Sequence, residues 1–211
     1  MKLIQIICGV VLSAVLFYGC TKDEKDEPTP ILFPETPPNH LCDGKPGDYS
    51  YFPLVLGNKW VYTYDSASFA QRDTFRINGV SLIAGKTYYN LYRYYAQDSL
   101  GITGNIKLRM DATNKNVFQY NSVTLSDELL IPGNPTVGQS IGPDPNKPTV
   151  CVNRKVISIT GTDLTAYCNY TGCIVIERYG IGGGVIGYDY YKRGLGMVSN
   201  DDYILKEVVL K

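Results

Sequence analysis

Histidine is nearly absent from this chain. The 211 residues include one, His40, and it sits beside Pro38 in a proline-rich stretch ahead of any strand-forming pattern. Ser-His-Asp and Cys-His catalysis and histidine-bearing metal sites are therefore not expected. Net charge is also missing: 20 Lys and Arg balance 20 Asp and Glu, which removes the electrostatic case for a nucleic-acid partner. A helical apolar stripe is lacking throughout the region after residue 48. The acidic doublets Asp127 with Glu128 and Asp201 with Asp202 offer no carboxylate pair, because neighbours on a strand face opposite sides. Both doublets read as solvated turns. Gly180 to Gly187 contains a formal Gly-x-Gly-x-x-Gly, but a strand pattern follows it where a dinucleotide site needs a helix, so a hairpin loop is expected. No enzyme, cofactor or metal is expected from these residues.

What is present begins at the N-terminus. Lys2 precedes an apolar to weakly polar run from Leu3 to Tyr18, then Gly19 and Cys20. A charged start, an apolar run and a small residue before the cleavage point describe a secretory signal. The Cys at the expected new N-terminus resembles the bacterial lipoprotein signal, which implies lipid attachment at Cys20 and a membrane anchor. After it come Thr21, Lys22, Asp23, Glu24, Lys25, Asp26 and Glu27, then Pro28, Pro30, Pro34, Pro37 and Pro38. Charge and proline at that density give an extended tether. The expected organisation is a signal over 1–19, a tether over 20–48 and a single β-rich domain over 49–211. The acidic run behind Cys20 is similar to the surface-export signal of Bacteroidota lipoproteins. It implies an outer-membrane location on the outer face, with the periplasmic face as the alternative.

Beyond Cys8 in the signal and Cys20, four cysteines remain: Cys42, Cys151, Cys168 and Cys173. An even number in an exported domain reads as disulfides. A zinc site wants two close pairs, and Cys42 and Cys151 stand far apart in sequence. The spacing favours Cys168 with Cys173 and Cys42 with Cys151, with a Cys151 to Cys168 bridge as the nearest alternative.

From Tyr49 onward the period is two. Trp60, Tyr62 and Tyr64 alternate with Lys59, Val61 and Thr63, and Ile106, Leu108 and Met110 alternate with Lys107 and Arg109. Such alternation marks strands with one buried face. Turn signals include Asn78 with Gly79, Gly101, Gly104 and Asn114. The expectation is an all-β fold of about nine to eleven strands, a curved antiparallel sheet closing into a sandwich or half-open barrel. Ile131 to Pro148 carries five prolines and three glycines and reads as a long surface loop.

Tyrosine is the compositional excess, with 18 copies. Tyr88, Tyr92 and Tyr94 share one strand parity, and Tyr188 and Tyr190 share another. With Trp60 they are the candidate binding aromatics, since such rings suit partner surfaces and sugar stacking. The opposing reading is that antiparallel sheets favour tyrosine anyway. Asp65-Ser66-Ala67 and Asp98-Ser99-Leu100 match the short O-glycosylation pattern of exported Bacteroidota proteins, which marks Ser66 and Ser99.

Two motifs bracket the domain: Tyr51, Phe52, Pro53, Leu54, Gly57, Asn58, Trp60 and Tyr62 at its start, and Tyr191, Gly194, Gly196 and Val198 near its end. They resemble a broad group of uncharacterised Bacteroidota envelope lipoproteins. That resemblance implies a β-rich domain at the cell envelope and carries no catalytic residues. The expected role is a binding module for a glycan or an envelope protein. A structural or assembly accessory is the alternative, and a carboxylate-dependent hydrolase is the third reading.

Overall fold

The computed structural model describes residues 41–64, 72–95, 102–146 and 149–211. Cys20, His40, Ser66 and Ser99 lie outside the described residues. Among the described residues twelve strands follow in order: β1 (Lys59–Tyr64), β2 (Arg72–Ile83), β3 (Lys86–Tyr95), β4 (Ile102–Met110), β5 (Val117–Asn121), β6 (Ser126–Ile131), β7 (Ser140–Gly142), β8 (Cys151–Leu164), β9 (Asn169–Gly180), β10 (Val185–Lys192), β11 (Gly196–Asn200) and β12 (Tyr203–Val209). They form one antiparallel sheet ordered β6-β5-β4-β3-β2-β1-β12-β11-β10-β9-β8-β7. Each strand pairs with its neighbours in sequence, apart from β6 and β7, and the first pairs with the last, Lys59 opposite Val209. The two edges, β6 and β7, are consecutive in the chain and meet as the sheet curls. The result is a nearly closed barrel.

Alternation fills the interior. Trp60, Ile77, Leu108, Val117, Val156, Ile174, Ile176 and Leu205 are all buried in one cluster. Because the sheet is a meander, its connections fall alternately at two ends. At one end the segment 41–58 crosses the barrel as a plug. Lys45 N donates to the Gly194 carbonyl at 2.8 Å, and Gly194 N donates to the Ser50 carbonyl at 2.7 Å. Tyr51, Phe52 and Leu54 are buried, and the Phe52 and Trp60 rings lie 4.9 Å apart. The Trp60 indole N–H donates to the Leu195 carbonyl at 2.6 Å. This explains why both bracketing motifs belong together: one supplies the plug and β1, the other the turn that holds them. Leu41 and Cys42 already pack on the barrel, so ordered structure begins ahead of Tyr49.

Several expectations are corrected. The β2–β3 turn is at Ala84 and Gly85, both at positive φ (48° and 75°), while Asn78 and Gly79 are absorbed as a bulge within β2. Val80 to Ile83 keep pairing with β3 beyond that bulge, which carries the hairpin past the Asn-Gly signal. Asp127 and Glu128 are strand residues of β6 rather than a turn. Asp127 accepts from Tyr88 OH at 2.6 Å, Arg109 Nε at 2.8 Å and Lys86 Nζ at 2.9 Å. The stretch from Ile131 to Pro148 is interrupted by β7, a short edge strand, the place where proline-rich flanks are tolerated.

The disulfide pairing is also corrected. Cys42 is bonded to Cys168, with Cα atoms 5.5 Å apart, and Cys151 and Cys173 are buried free thiols. Cys168 lies in the β8–β9 turn at the plugged end, where the segment 41–58 passes. Cys151 stands opposite Gly180 on β9, and Cys173 opposite Gly161 on β8. Seven residues of strand at roughly 3.3 Å each keep those two sulfurs apart.

Candidate functional site

On several strands an inward apolar run ends in a charged residue near the unplugged end. Ile174 and Ile176 on β9 are followed at the same parity by Arg178, and Val156 on β8 is preceded by Arg154. Ile77 and Phe75 on β2 lead to Asp73, Leu91 on β3 leads to Arg93, and Tyr191 on β10 leads to Asp189. The interior therefore has an apolar floor and a charged layer at its mouth. Between them lies a cavity of about 270 Å³. Phe52, Tyr62, Phe75, Leu91, Leu108 and Leu130 form the floor, and the β7–β8 connection adds Asp144 and Asn146 at the rim.

The charged layer is tightly wired. Arg178 donates through Nη2 to Asp201 Oδ2 at 2.6 Å, and its Nε stands 3.2 Å from Asp189 Oδ1. The Nε–H is misaligned for a hydrogen bond to that oxygen and has no hydrogen-bond partner among the described residues. Gly187 makes the Asp201 pairing possible: a Cβ there would come within 1.5 Å of Asp201 Oδ2 and 2.6 Å of Arg178 Nη2. Across the cavity, Arg93 Nε donates to Asp73 Oδ2 at 2.8 Å, and Tyr203 OH donates to the same oxygen at 2.9 Å. Asp73 is fully buried, and its other oxygen, Oδ1, has no partner among the described residues. Arg154, cross-strand neighbour of Arg178, donates Nη1 and Nη2 to the carbonyls of Leu130 and Leu129 at 2.9 and 2.7 Å.

Titration follows from this crowding. Burial, reinforced by Asp144 and Asp201, pushes the Asp189 carboxyl up to about 6 against the pull of Arg178 and Arg154. Burial, with Tyr64 and Asp73 beside it, raises the Tyr203 phenol. The Tyr191 phenol on the cavity wall is raised by burial and by Asp189. Asp127, on the outer face, is the opposite case. Burial alone would raise it, but hydrogen bonds from Arg109, Tyr88 and Lys86 hold it down at about 2.

The aromatics singled out in the sequence are not brought together. Trp60 has no exposed surface and belongs to the core, so it presents no ring to a partner. Tyr88 is buried on the outer face against Tyr120 and Asp127. Tyr92 and Tyr94 are half-buried on β3, where Tyr94 OH accepts from Asn78 Nδ2 at 2.7 Å. Tyr188 and Tyr190 are half-buried on β10, separated from β3 by four strands. The rings that line the cavity are Phe52, Tyr62, Phe75, Tyr191 and Tyr203. Sequence reasoning missed the charged layer, although its signal was present: a lone Arg or Asp at the buried parity of an otherwise apolar strand.

No family model matches the chain, and no curated protein matches it. Among solved structures, the chain is similar to a candidate lipoprotein from Parabacteroides distasonis, with 16% identity and a TM-score of 0.49 over 76% of this chain and 98% of that one. It is also similar to a candidate exported protein with YmcC-like fold from Bacteroides fragilis, with 11% identity and a TM-score of 0.44 over 76% of this chain and 99% of that one. The barrel described above rests on the strand pairing of the chain itself.

Proposed function

We propose that this chain is a cell-envelope lipoprotein, anchored through Cys20, whose barrel is a non-enzymatic binding module for a small amphipathic ligand. The observation that carries this reading is the cavity: plugged at one end, apolar at its floor and charged at its mouth. Ligand sites are concave, mostly apolar and fitted with a few placed polar groups. The scattered outer tyrosines supply no platform for a long glycan, so a glycan ligand would enter here as a terminal unit. Asp189 and Asp201 flank one guanidinium rather than facing each other over open space, which supports binding over acid–base hydrolysis.

Pro37–Lys211 is one compact unit holding all twelve strands, the disulfide and the core, so it can be prepared alone. Its thermal unfolding is to be followed against small alkyl compounds and mono- and disaccharides. A saturable rise in Tm, lost when the floor is blocked by Leu108→Trp, supports the reading. A flat response across the panel by a folded domain refutes it. Intact-mass measurement of the membrane-extracted chain tests the anchor: an N-terminus other than acylated Cys20 removes it.

The accessory reading draws on a different surface. Val150, Val152, Ile181 and Val185 are exposed around the start of β8 and the β9–β10 turn. If the domain binds no small molecule and co-purifies with one envelope protein through that patch, it is an assembly component.

A further inference from the structure

The balance of charge at the mouth points to the ligand's polar group. Among the described residues, three guanidiniums, from Arg93, Arg154 and Arg178, share this layer with the carboxylates of Asp73, Asp144, Asp189 and Asp201. Arg154 directs its donors to backbone carbonyls, so it neutralises no carboxylate by direct contact. The oxygen acceptors are correspondingly under-supplied. Asp189 is 6% exposed, lines the cavity, and accepts no hydrogen bond among the described residues; its partner there is the ion pair with Arg178. Gln119 Oε1, also in the cavity wall, and the buried Asp73 Oδ1 behind it likewise lack donors among the described residues. One donor runs against this trend, the Nε–H of Arg178, and it lies beside the carboxylate it already neutralises in part.

Resting on the small-ligand reading, we propose that the mouth binds the protonated amino group of a small ligand, with Asp189 as its main acceptor and the floor holding its hydrocarbon body. An ammonium group supplies three donors and a positive charge to a site short of both, whereas a carboxylate ligand would add to an existing excess of acceptors. A cavity of about 150 Å³ holds a benzene, so the volume of about 270 Å³ here has room for a six-carbon body together with its polar group. The groups facing Asp189 are Arg178 from β9, Arg154 from β8, Asp144 from the β7–β8 connection and Asp201 from the β11–β12 turn. Burial first, and then the two additional carboxylates, hold its proton on until about pH 6. Amine binding therefore strengthens as pH rises through that value, because an ionised Asp189 is what the ammonium meets.

The test is calorimetry of Pro37–Lys211 with hexylammonium, hexanol and hexanoate at pH about 7.5 and about 5. Hexylammonium should bind at least about tenfold more tightly than hexanol at the higher pH, with hexanoate weakest. Its affinity should fall several-fold at the lower pH while that of hexanol stays level. Asp189→Asn should abolish the amine preference and leave hexanol binding intact, and Asp144→Asn should weaken the preference without touching the Arg178 ion pairs. Hexanol binding with no preference for the amine overturns the ammonium assignment alone. No binding by any of the three overturns it together with the small-ligand reading.

Discussion

The Arg154 guanidinium on β8 donates to the Leu130 carbonyl on β6 at 2.9 Å, so one side chain laces the barrel where β6 and β7 fail to form a ladder. The charge is fully inside, met by carbonyl dipoles instead of a carboxylate. Removing it takes a donor from each of two β6 carbonyls and opens the seam beside the cavity. Arg154→Ala should cost about 2–4 kcal/mol, and Arg154→Lys, which cannot serve both carbonyls in the same geometry, should recover only part of it. Urea unfolding measures both; an alanine variant within about 0.5 kcal/mol of the parent would mean the seam closes without the guanidinium.

Gly187 is the narrowest position in the mouth. An added methyl there collides with Asp201 and Arg178 and also strains a backbone at φ 151°. Gly187→Ala should destabilise by about 2 kcal/mol or more and weaken ligand binding with it. At Gly182, in the neighbouring turn, an added methyl would meet nothing within 4 Å, and Gly182→Ala should stay within about 0.5 kcal/mol. Equal effects at the two sites would dissociate Gly187 from the ion pairs.

The Cys42–Cys168 bond spans 126 residues and fastens the plug to the β8–β9 turn. Replacing both cysteines by alanine should lower stability by about 2–4 kcal/mol. Thiol titration of the native unit should find no rapidly reacting sulfhydryl, and two after denaturation without reductant, because Cys151 and Cys173 are buried and the Cys173 thiol is pushed up to about 11 by burial and Asp163. Four reactive thiols after denaturation would contradict the bond.

Two aspartates should shape the pH dependence in opposite directions. Asp127 is held at about 2, below its unfolded value near 4, so its contribution is present above about pH 4 and lost as pH falls toward 2. Asp189 is raised to about 6, so its contribution is full below about pH 4 and is lost as pH rises through 6. Stability should therefore rise on mild acidification and collapse below about pH 4. Asp189→Asn should flatten the slope between about pH 4 and 6, and Asp127→Asn should soften the acid limb. A parental slope unchanged in Asp189→Asn would place that ionisation elsewhere.

The strands themselves were legible because alternation reports a buried face directly, as at Trp60 and Tyr62 or Ile106 and Leu108. A curved sheet closing as a sandwich or half-open barrel was legible too, but not which strands join it, since pairing of β1 with β12 leaves no local mark on either strand. Asn78-Gly79 misled because a bulge and a tight turn ask for the same residues, and only the partner strand decides between them. Cysteine spacing misled for a similar reason: Cys168 and Cys173 are near in sequence, but one is in a turn and the other points into the core four positions along β9 from Asn169. The site was partly legible. Asp73, Arg93, Arg154, Arg178 and Asp189 each break an apolar parity, and a sheet curled into a barrel turns such interruptions into a single ring.

The pairing of the first strand with the last also sets when this protein can exist. Until the stretch from Gly194 through β12 is available, β1 has a bare edge, Trp60 and Tyr62 lack the Leu195 and Met197 carbonyls to which they donate, and the plug lacks the Gly194 turn that grips it. An unfinished chain cannot close around a core. The barrel is therefore acquired all at once and late, when β12 arrives to join an edge that has waited since β1 was made.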